Sequence, residues 1–177
     1  MNRAIFLDRD NTIIEDMGYL SNPDGICILP SVLSTLNILQ HHRFLLIMVS
    51  NQSGIGRGYL TEHEYEVVQA CLMTIMKENG ITFTGFYHCP HHPDDHCECR
   101  KPKPFLAFKA AKEHNIDLTE SFMVGDKDSD IEFGRNFGAK ASFKSIHELF
   151  ELKQQCKKGE RDTVPSQKGN SECYFYF

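Results

Sequence analysis

The chain has 177 residues, of which 41% are hydrophobic, and it carries a formal net charge of −5. This length and apolar content suffice for one buried core, while the acidic balance argues against a protein that binds the phosphates of nucleic acids. The sequence has no run of about 18 apolar residues and no secretory signal pattern, so we expect a cytoplasmic protein that does not cross a membrane.

The first predicted element is a buried strand over residues 4–7, which ends at Asp8 and Asp10. A continuous apolar run is typical of a parallel strand covered on both faces, and such sheets bind ligands beyond the carboxyl ends of their strands. Two neighbouring carboxylates repel each other unless a divalent cation holds them. One aspartate could then attack a phosphoryl group while the other acts as general acid and base. The pair alone could also be a turn or capping motif.

Further helices and strands alternate along the chain. Pro30 precedes a segment with helical apolar spacing, and Thr61 with Glu64 has the pattern of a capping box. The predicted helices are 31–40, 61–79 and 104–114, and the predicted later strands are 44–49, 83–87, 121–124 and 140–143. This alternation predicts an α/β fold in three layers, with a mainly parallel sheet and helices on both faces.

Several predicted strands bring polar groups to one edge of this sheet. The second strand runs into Ser50 and the fourth runs towards Asp126, while Arg100 and Lys101 supply cations between them. Phosphoryl transfer needs a metal, a cation and polar donors around the transferred group. The positions together therefore favour a phosphoryl-transfer site.

A cluster of cysteines and histidines lies within residues 88–100, which we call the Cys-His loop. Such ligands at this spacing can surround a tetrahedral Zn²⁺, and four protein ligands leave no open position, so the zinc would be structural. The preferred ligands are Cys89, His91, Cys97 and Cys99, with His88, His92 and His96 as alternatives. A disulfide loop is the other interpretation. Free thiols are expected at the remaining cysteines, which are Cys27, Cys71, Cys156 and Cys173.

In the order of its motifs, the chain resembles the haloacid dehalogenase superfamily of phosphatases over residues 4–143. The resemblance implies a Rossmann-like fold and a magnesium-dependent reaction through an aspartyl-phosphate. The chain has no long insertion after its first motif or between its second and third, so we expect no large cap domain. The positions that match the nucleophile, the general acid and base, and the hydroxyl and lysine that hold the phosphoryl group are Asp8, Asp10, Ser50 and Lys101. The positions that match the Mg²⁺ site are the Asp8 side chain, the Asp10 carbonyl and Asp126, with Asp130 as a supporting acid.

The Cys-His loop resembles a zinc-loop branch of this superfamily, which includes D-glycero-D-manno-heptose 1,7-bisphosphate phosphatases and histidinol-phosphate phosphatases. Residues 16–19 and 50–58 look like the heptose enzymes, whereas the short gap between His91 and Cys97 also matches the histidinol-phosphate enzymes. In the heptose enzymes, the positions that contact substrate match Asp16, Met17, Gly18, Tyr19, Asn51, Gln52, Ser53, Arg100 and Lys127. The favoured activity is removal of the 7-phosphate from the heptose bisphosphate, and the alternative is hydrolysis of histidinol phosphate.

Nearby charges do not decide between these two substrates. A bisphosphate brings a second dianion, which Arg100 with Arg57 or Lys127 could receive through charge-assisted hydrogen bonds. The amine of histidinol would instead favour Asp16 or Glu15. Two less favoured functions are a phosphomutase, which would need a lid against water, and a non-enzymatic zinc module, which leaves the phosphoryl-transfer motifs unexplained.

Two features depart from the superfamily pattern. Asn11 stands where glycine is usual, at a position that favours positive φ, which asparagine tolerates better than most residues. Towards its end the chain loses apolar periodicity, so we expect one phosphatase domain over 1–157 and a loosely ordered tail over 158–177. The expected partner is a small phosphorylated sugar and not a nucleic acid or membrane, and the expected state is a monomer.

Overall fold

The computed structural model describes residues 1–149, so the predicted tail and the cysteines at 156 and 173 lie outside the described residues. The strands of its central sheet are β1 (Arg3–Leu7), β2 (Phe44–Asn51), β3 (Gly85–Cys89), β4 (Phe122–Val124) and β5 (Ala141–Phe143). Their order in space is β3-β2-β1-β4-β5, and all four neighbouring pairs are parallel. The predicted α/β class with a parallel sheet is therefore confirmed.

Helices connect these parallel strands, as parallel pairing requires. They are α1 (Val32–His41), α2 (Ser53–Gly56), α3 (Glu62–Glu78), α4 (Phe105–His114) and α5 (Asp128–Phe137). The start of α3 is the predicted capping box: the Glu64 amide donates to the Thr61 hydroxyl (3.1 Å), and the Thr61 amide donates to the Glu64 carboxylate (2.7 Å). The reciprocal bonds fix the point at which α3 begins.

Each face of the sheet buries its own apolar layer. Ile5 and Leu7 of β1 pack in one layer with side chains of α1 and α3. Phe6, which points to the opposite face, packs in the other layer with side chains of α4 and α5. This alternation follows from the two-residue period of a strand, and it explains why β1 is apolar throughout.

The structure corrects the bounds of two predicted strands and adds one helix. The strand predicted over 83–87 lies at Gly85–Cys89, so it runs directly into the Cys-His loop. The strand predicted to stop at residue 49 extends to Asn51. The helix α5 was not predicted, because its glycine and its run of acids weaken the helical pattern. That glycine, Gly134, permits close packing, since a Cβ there would lie only 2.9 Å from the Cβ of Met123.

No separate cap domain is present within residues 1–149. The connection from β1 to α1 contains a short 3₁₀ helix, Pro23–Gly25, and a bridge between Ile14 and Ile28. In the same part of the chain, none of the helices is both long enough and apolar enough to cross a membrane. The loops at the carboxyl edge of the sheet include residues 8–31 and the Cys-His loop.

Candidate active site

Asp8 lies directly beyond the carboxyl end of β1, where its amide donates to the carbonyl of Val124 (2.9 Å). The ammonium of Lys101 contacts the Asp8 carboxylate at 2.8 Å and the Asp130 carboxylate at 2.6 Å. All three side chains are buried. The fold therefore brings the predicted nucleophile, lysine and supporting acid into one buried ion cluster, although they are far apart in sequence.

The charge of Lys101 is maintained by these two acids. Burial alone would lower the pKa of its ammonium, but the carboxylates of Asp8 and Asp130 hold that pKa above its ordinary value. The ammonium also donates to the carbonyl of Val49 (2.8 Å). Lys101 is thus a fixed positive charge beside Asp8, as a phosphoryl group would require.

Asp10 has a different environment from Asp8. Its carboxylate lies at 3.0 Å from the guanidinium of Arg9 and accepts a hydrogen bond from the Gln52 amide (3.0 Å). Burial raises the pKa of the Asp10 carboxyl above its ordinary value, and Asp8 adds to this effect, while Arg9 and Gln52 oppose it. A carboxyl with a raised pKa suits a group that must both give and take a proton.

Sequence reasoning missed Arg9. Its side chain is only 1% exposed, although it stands between two acids at the end of a strand, where an arginine usually reaches solvent. The one available signal was its position between Asp8 and Asp10, where a buried cation can pair with either carboxylate.

The acidic residues at this edge fit a hard divalent cation. Carboxylate oxygens of Asp8, Asp126 and Asp130 lie within 4.8 Å of one another. The Oδ1 atom of Asp126 is buried without a hydrogen-bond partner among the described residues, as expected for an atom that would coordinate a metal. All-oxygen donors of this kind match Mg²⁺.

A cavity of about 290 Å³ opens beside Asp10. Its lining contains most of the predicted substrate contacts together with one residue that sequence reasoning missed, Gly54: Asp10, Asp16, Gly18, Tyr19, Asn51, Gln52, Ser53, Gly54 and Lys127. Three predicted substrate contacts, Met17, Arg57 and Arg100, do not line it. Of the cations considered for a second phosphate, Lys127 is the one at this cavity.

Two residues predicted to touch substrate also organise the site internally. Asn51 holds the backbone of Lys101 at both ends, because its Oδ1 accepts from the Lys101 amide (2.9 Å) and its Nδ2 donates to the Lys101 carbonyl (3.1 Å). Gln52 is buried and donates from Nε2 to the hydroxyl of Ser50 (2.6 Å) as well as to Asp10.

Asn11 has a φ of 57°, which is the positive value that the superfamily pattern predicts for this position. Its Nδ2 donates to Asp126 (3.3 Å), and its Oδ1 accepts from the amide of Asp16 (3.1 Å). The carboxylate of Asp16 lies 3.7 Å from the Lys127 ammonium. Asn11 therefore links a predicted metal ligand to the loop that lines the cavity.

The Cys-His loop brings four soft ligands together. The thiols of Cys89 and Cys97 are 3.4 Å apart, and those of Cys97 and Cys99 are 3.7 Å apart. The Nδ1 atom of His91 lies 3.2 Å from the Cys99 thiol. These separations fit ligands about 2.3 Å from a tetrahedral Zn²⁺. They are too long for the S–S bond of about 2.05 Å in a disulfide, and the three cysteines are free, so the disulfide interpretation is wrong.

Two of the three alternative histidines have other side-chain partners. His88 pairs with Glu62 at 2.6 Å, and His92 accepts from the Asp94 amide at 3.2 Å. His96 is exposed and has a positive φ of 49°.

Burial raises the pKa of the Cys89 thiol, with its neighbour Cys99 adding to the effect, and a bound divalent cation would favour the thiolate.

The Cys-His loop is joined to the catalytic edge at both ends. At its start, the carbonyl of Cys89 accepts from the backbone amide of Gln52 (2.8 Å). At its end, Cys99 stands two residues before Lys101. The loop also contacts α2, where the amide of Gly56 donates to the Pro90 carbonyl (2.8 Å). A metal in this loop would therefore fix groups that border the cavity.

The chain is similar to known proteins in sequence and in fold. The HAD-hydrolase-like family profile matches residues 98–143. A D-glycero-beta-D-manno-heptose-1,7-bisphosphate 7-phosphatase of Helicobacter pylori is 43% identical over 136 residues, which are 76% of this chain and 79% of that protein. The protein of the same name from Haemophilus influenzae is 40% identical over 146 residues, which are 79% of this chain and 78% of that protein.

A solved structure shares the fold. It is D,D-heptose 1,7-bisphosphate phosphatase from B. bronchiseptica, complexed with magnesium and phosphate. The TM-score is 0.74 at 24% sequence identity, and the match covers 86% of this chain and 98% of that one. The Rossmann-like architecture predicted from the order of motifs is thereby confirmed.

Proposed function

Because the chain belongs to the D-glycero-D-manno-heptose 1,7-bisphosphate 7-phosphatase family of the haloacid dehalogenase superfamily, we propose that it removes the 7-phosphate from this sugar bisphosphate. The products are the heptose 1-phosphate and inorganic phosphate. The names of the relatives support the β anomer as substrate. The observation that carries the proposal is the buried contact of Asp8 with Lys101, beside a cavity that Asp10 lines.

The first chemical step forms an aspartyl-phosphate. The Asp8 carboxylate attacks the phosphorus atom, and the bond from phosphorus to the C7 oxygen breaks. The electron pair of that bond stays on the C7 oxygen, and Asp10 gives this oxygen its proton. Lys101 offsets the negative charge of the transferred group, and the Ser50 hydroxyl supplies a polar donor near it.

The second step regenerates the enzyme. Asp10, now ionised, takes a proton from a water molecule, whose oxygen attacks the phosphorus of the aspartyl-phosphate. The bond from phosphorus to the Asp8 oxygen breaks, and inorganic phosphate is released. The two aspartates thus alternate in charge, which is why their different environments matter.

We assign the Mg²⁺ site to Asp8, the Asp10 carbonyl and Asp126, with Asp130 in support. When bound, Mg²⁺ supplies positive charge against the phosphoryl oxygens. Asp130 contributes mainly through Lys101, which it contacts at 2.6 Å. We assign Zn²⁺ to Cys89, His91, Cys97 and Cys99 as a structural ion.

Substrate recognition is assigned to the groups that line the cavity, which come from the loop over 8–31, from residues 51–54 and from Lys127. Lys127 is positioned to receive the second phosphate, since it lines the cavity and the bisphosphate carries two dianions. Arg57 and Arg100 remain candidates for the outer part of the substrate. We propose that the protein acts as a cytoplasmic monomer.

The proposal is tested by phosphate release in the presence of Mg²⁺ from both anomers of the heptose bisphosphate, histidinol phosphate and a simple phosphate monoester. We expect kcat/KM for the β-heptose bisphosphate to exceed the others by a hundredfold or more, about 2.7 kcal/mol in transition-state binding. Preference for histidinol phosphate would replace this function with the alternative. Release from none of the four would favour the phosphomutase.

A further inference from the structure

The Asp10 carboxylate faces the cavity on one side and two buried side chains on the other. Arg9 donates from Nε to Asp10 Oδ1 (3.1 Å) and from Nη2 to Oδ2 (3.2 Å). Gln52 donates from Nε2 to the same Oδ2 (3.0 Å). Arg9 is 1% exposed and Gln52 is 7% exposed. Both oxygens of Asp10 are therefore held from within the protein, and we call Arg9 and Gln52 the Asp10 bracket.

The two bracket residues also hold each other. Arg9 donates from Nη2 to Gln52 Oε1 (3.2 Å), and its guanidinium lies 5.3 Å from the ring centroid of Tyr65. The Gln52 nitrogen carries two N–H groups, and these have two partners, Asp10 and Ser50. The amide of Gln52 therefore has no donor left for a sugar, which differs from the substrate contact that the family resemblance implies.

The burial of Arg9 is not explained by stability. A buried charged pair usually contributes little to folding, and well-packed apolar residues can replace it without loss. The Nη1 atom of Arg9 is also buried without a hydrogen bond among residues 1–149, which adds a desolvation cost. The partners of Arg9 include Gln52 and the ring of Tyr65, but its forked hydrogen bonds go to Asp10, the proposed general acid, so the geometry favours a role at that carboxyl.

We propose that Arg9 and Gln52 are positioning residues that hold the Asp10 carboxyl in the orientation required to protonate the leaving oxygen. This inference rests on the proposed function for the role of Asp10. The terminal torsion of an aspartate is broad, so an unheld carboxyl turns freely. Proton transfer demands a heavy-atom distance of about 2.6–3.2 Å, which only a small part of those orientations provides.

Loss of this positioning should slow some substrates more than others, according to whether their leaving group needs a proton. The C7 oxygen of the sugar needs the proton of Asp10, because without it the sugar would have to leave as a high-energy alkoxide. The oxygen of p-nitrophenyl phosphate leaves as a stabilised phenolate, which does not need it. Loss of the bracket should therefore reduce kcat/KM for the sugar phosphate selectively, since this constant covers the steps up to formation of the aspartyl-phosphate.

The test compares two bracket variants with a matched control. Arg9→Lys keeps the charge but removes the fork, and Gln52→Met keeps the approximate volume but removes the amide. The control is Gln69→Met, because Gln69 is also a buried glutamine and its amide contacts the sulfur of Met48 (3.2 Å). Each protein is assayed with the heptose bisphosphate, glycerol phosphate and p-nitrophenyl phosphate, and thermal unfolding checks the fold.

We expect both bracket variants to lose at least about tenfold in kcat/KM for the alkyl phosphates and less than about threefold for p-nitrophenyl phosphate. Gln69→Met should leave the ratio of the two constants unchanged. Gln52→Met also removes the hydrogen bond to Ser50, so Arg9→Lys tests the positioning of Asp10 more specifically. If only one of the two variants folds, its ratio of kcat/KM values still tests the inference.

Several results would overturn the inference. An equal loss with alkyl and aryl phosphates would mean that the bracket serves the phosphoryl pocket. A raised KM at unchanged kcat for Gln52→Met would restore Gln52 as a substrate contact, and failure of both variants to fold would give the pair a structural role. A wild-type protein that cleaves glycerol phosphate but not the heptose bisphosphate would contradict the proposed function alone, and the alkyl-to-aryl comparison would still test the bracket.

Discussion

At the residue scale, the end of β1 separates two aspartates that are one residue apart in sequence. Asp8 is paired with Lys101, whereas Asp10 is paired with Arg9. Each carboxylate therefore has its own cation, and burial raises the pKa of Asp10. Environments that differ in this way assign different roles to chemically identical groups. Here they support Asp8 as nucleophile and Asp10 as acid and base.

Asn11 provides the first prediction. Its φ of 57° lies in the left-handed region, which glycine adopts freely and which costs alanine about 1–2 kcal/mol. We expect the free energy of unfolding of Asn11→Ala to be about 1 kcal/mol lower than that of Asn11→Gly, as measured by urea denaturation. Both variants lose the bonds to Asp126 and Asp16, so their difference isolates the backbone. Equal stabilities would contradict the conformational argument.

At the element scale, α5 positions an acid at the site by packing closely on the turn after β4. A Cβ on Gly125 would lie 2.5 Å from both the Cβ and the Cγ of Asp130. Asp130 in turn contacts the ammonium of Lys101. The absence of a side chain at Gly125 therefore leaves the space that Asp130 occupies in the buried ion cluster.

Gly125→Ala should accordingly disturb both stability and activity. We expect a loss of about 2 kcal/mol or more in the free energy of unfolding, because the added methyl group must displace Asp130. The rate of phosphate release should also fall, because Asp130 contacts Lys101. Gly138→Ala is the control: Gly138 has a φ of 82° but no heavy atom within 4 Å of an added Cβ, so only backbone strain of about 1 kcal/mol is expected. Retention of full activity by Gly125→Ala would show that the cluster tolerates the shift.

The Cys-His loop provides the third prediction. Because it is joined to Gln52 at one end and to Lys101 at the other, removal of zinc should loosen substrate recognition before the fold is lost. We expect zinc chelation, followed by assay in excess Mg²⁺, to raise KM and lower the thermal midpoint while the circular dichroism spectrum is retained.

Cys99→Ser should reproduce the effect of chelation and lose bound zinc. Cys27→Ser should keep both zinc and activity, because Cys27 is an exposed free thiol outside the ligand cluster. An unchanged Michaelis constant and an unchanged thermal midpoint after complete zinc removal would be inconsistent with a positioning role for the loop.

At the scale of the whole molecule, the sequence predicted those features that depend on local pattern. Apolar runs located β1, β2 and β4, and the order of polar residues at their ends pointed to the candidate site. The burial of Arg9 and the inward hydrogen bonds of Gln52 depend on which strands become neighbours, and residue types alone do not carry that information. The helix α5 was missed because Gly134 lowers helix propensity, while its value for close packing appears only in three dimensions.

Hydrogen bonds between distant segments hold the candidate site together. Asp8, Ser50, Lys101 and Asp126 come from four separate parts of the chain and meet at the carboxyl edge of one parallel sheet. Asn51 ties β2 to Lys101, and Asn11 ties the first loop to Asp126. The predicted chemistry therefore depends on the correct sheet order more than on any single motif.

The most direct test is ³¹P NMR of β-heptose 1,7-bisphosphate incubated with the protein and Mg²⁺. We expect the C7 phosphate signal to be replaced by that of inorganic phosphate while the C1 phosphate signal persists. Asp8→Asn should reduce the rate by at least about 10⁴-fold without loss of the fold. Loss of the C1 phosphate instead, or wild-type turnover by Asp8→Asn, would contradict the account.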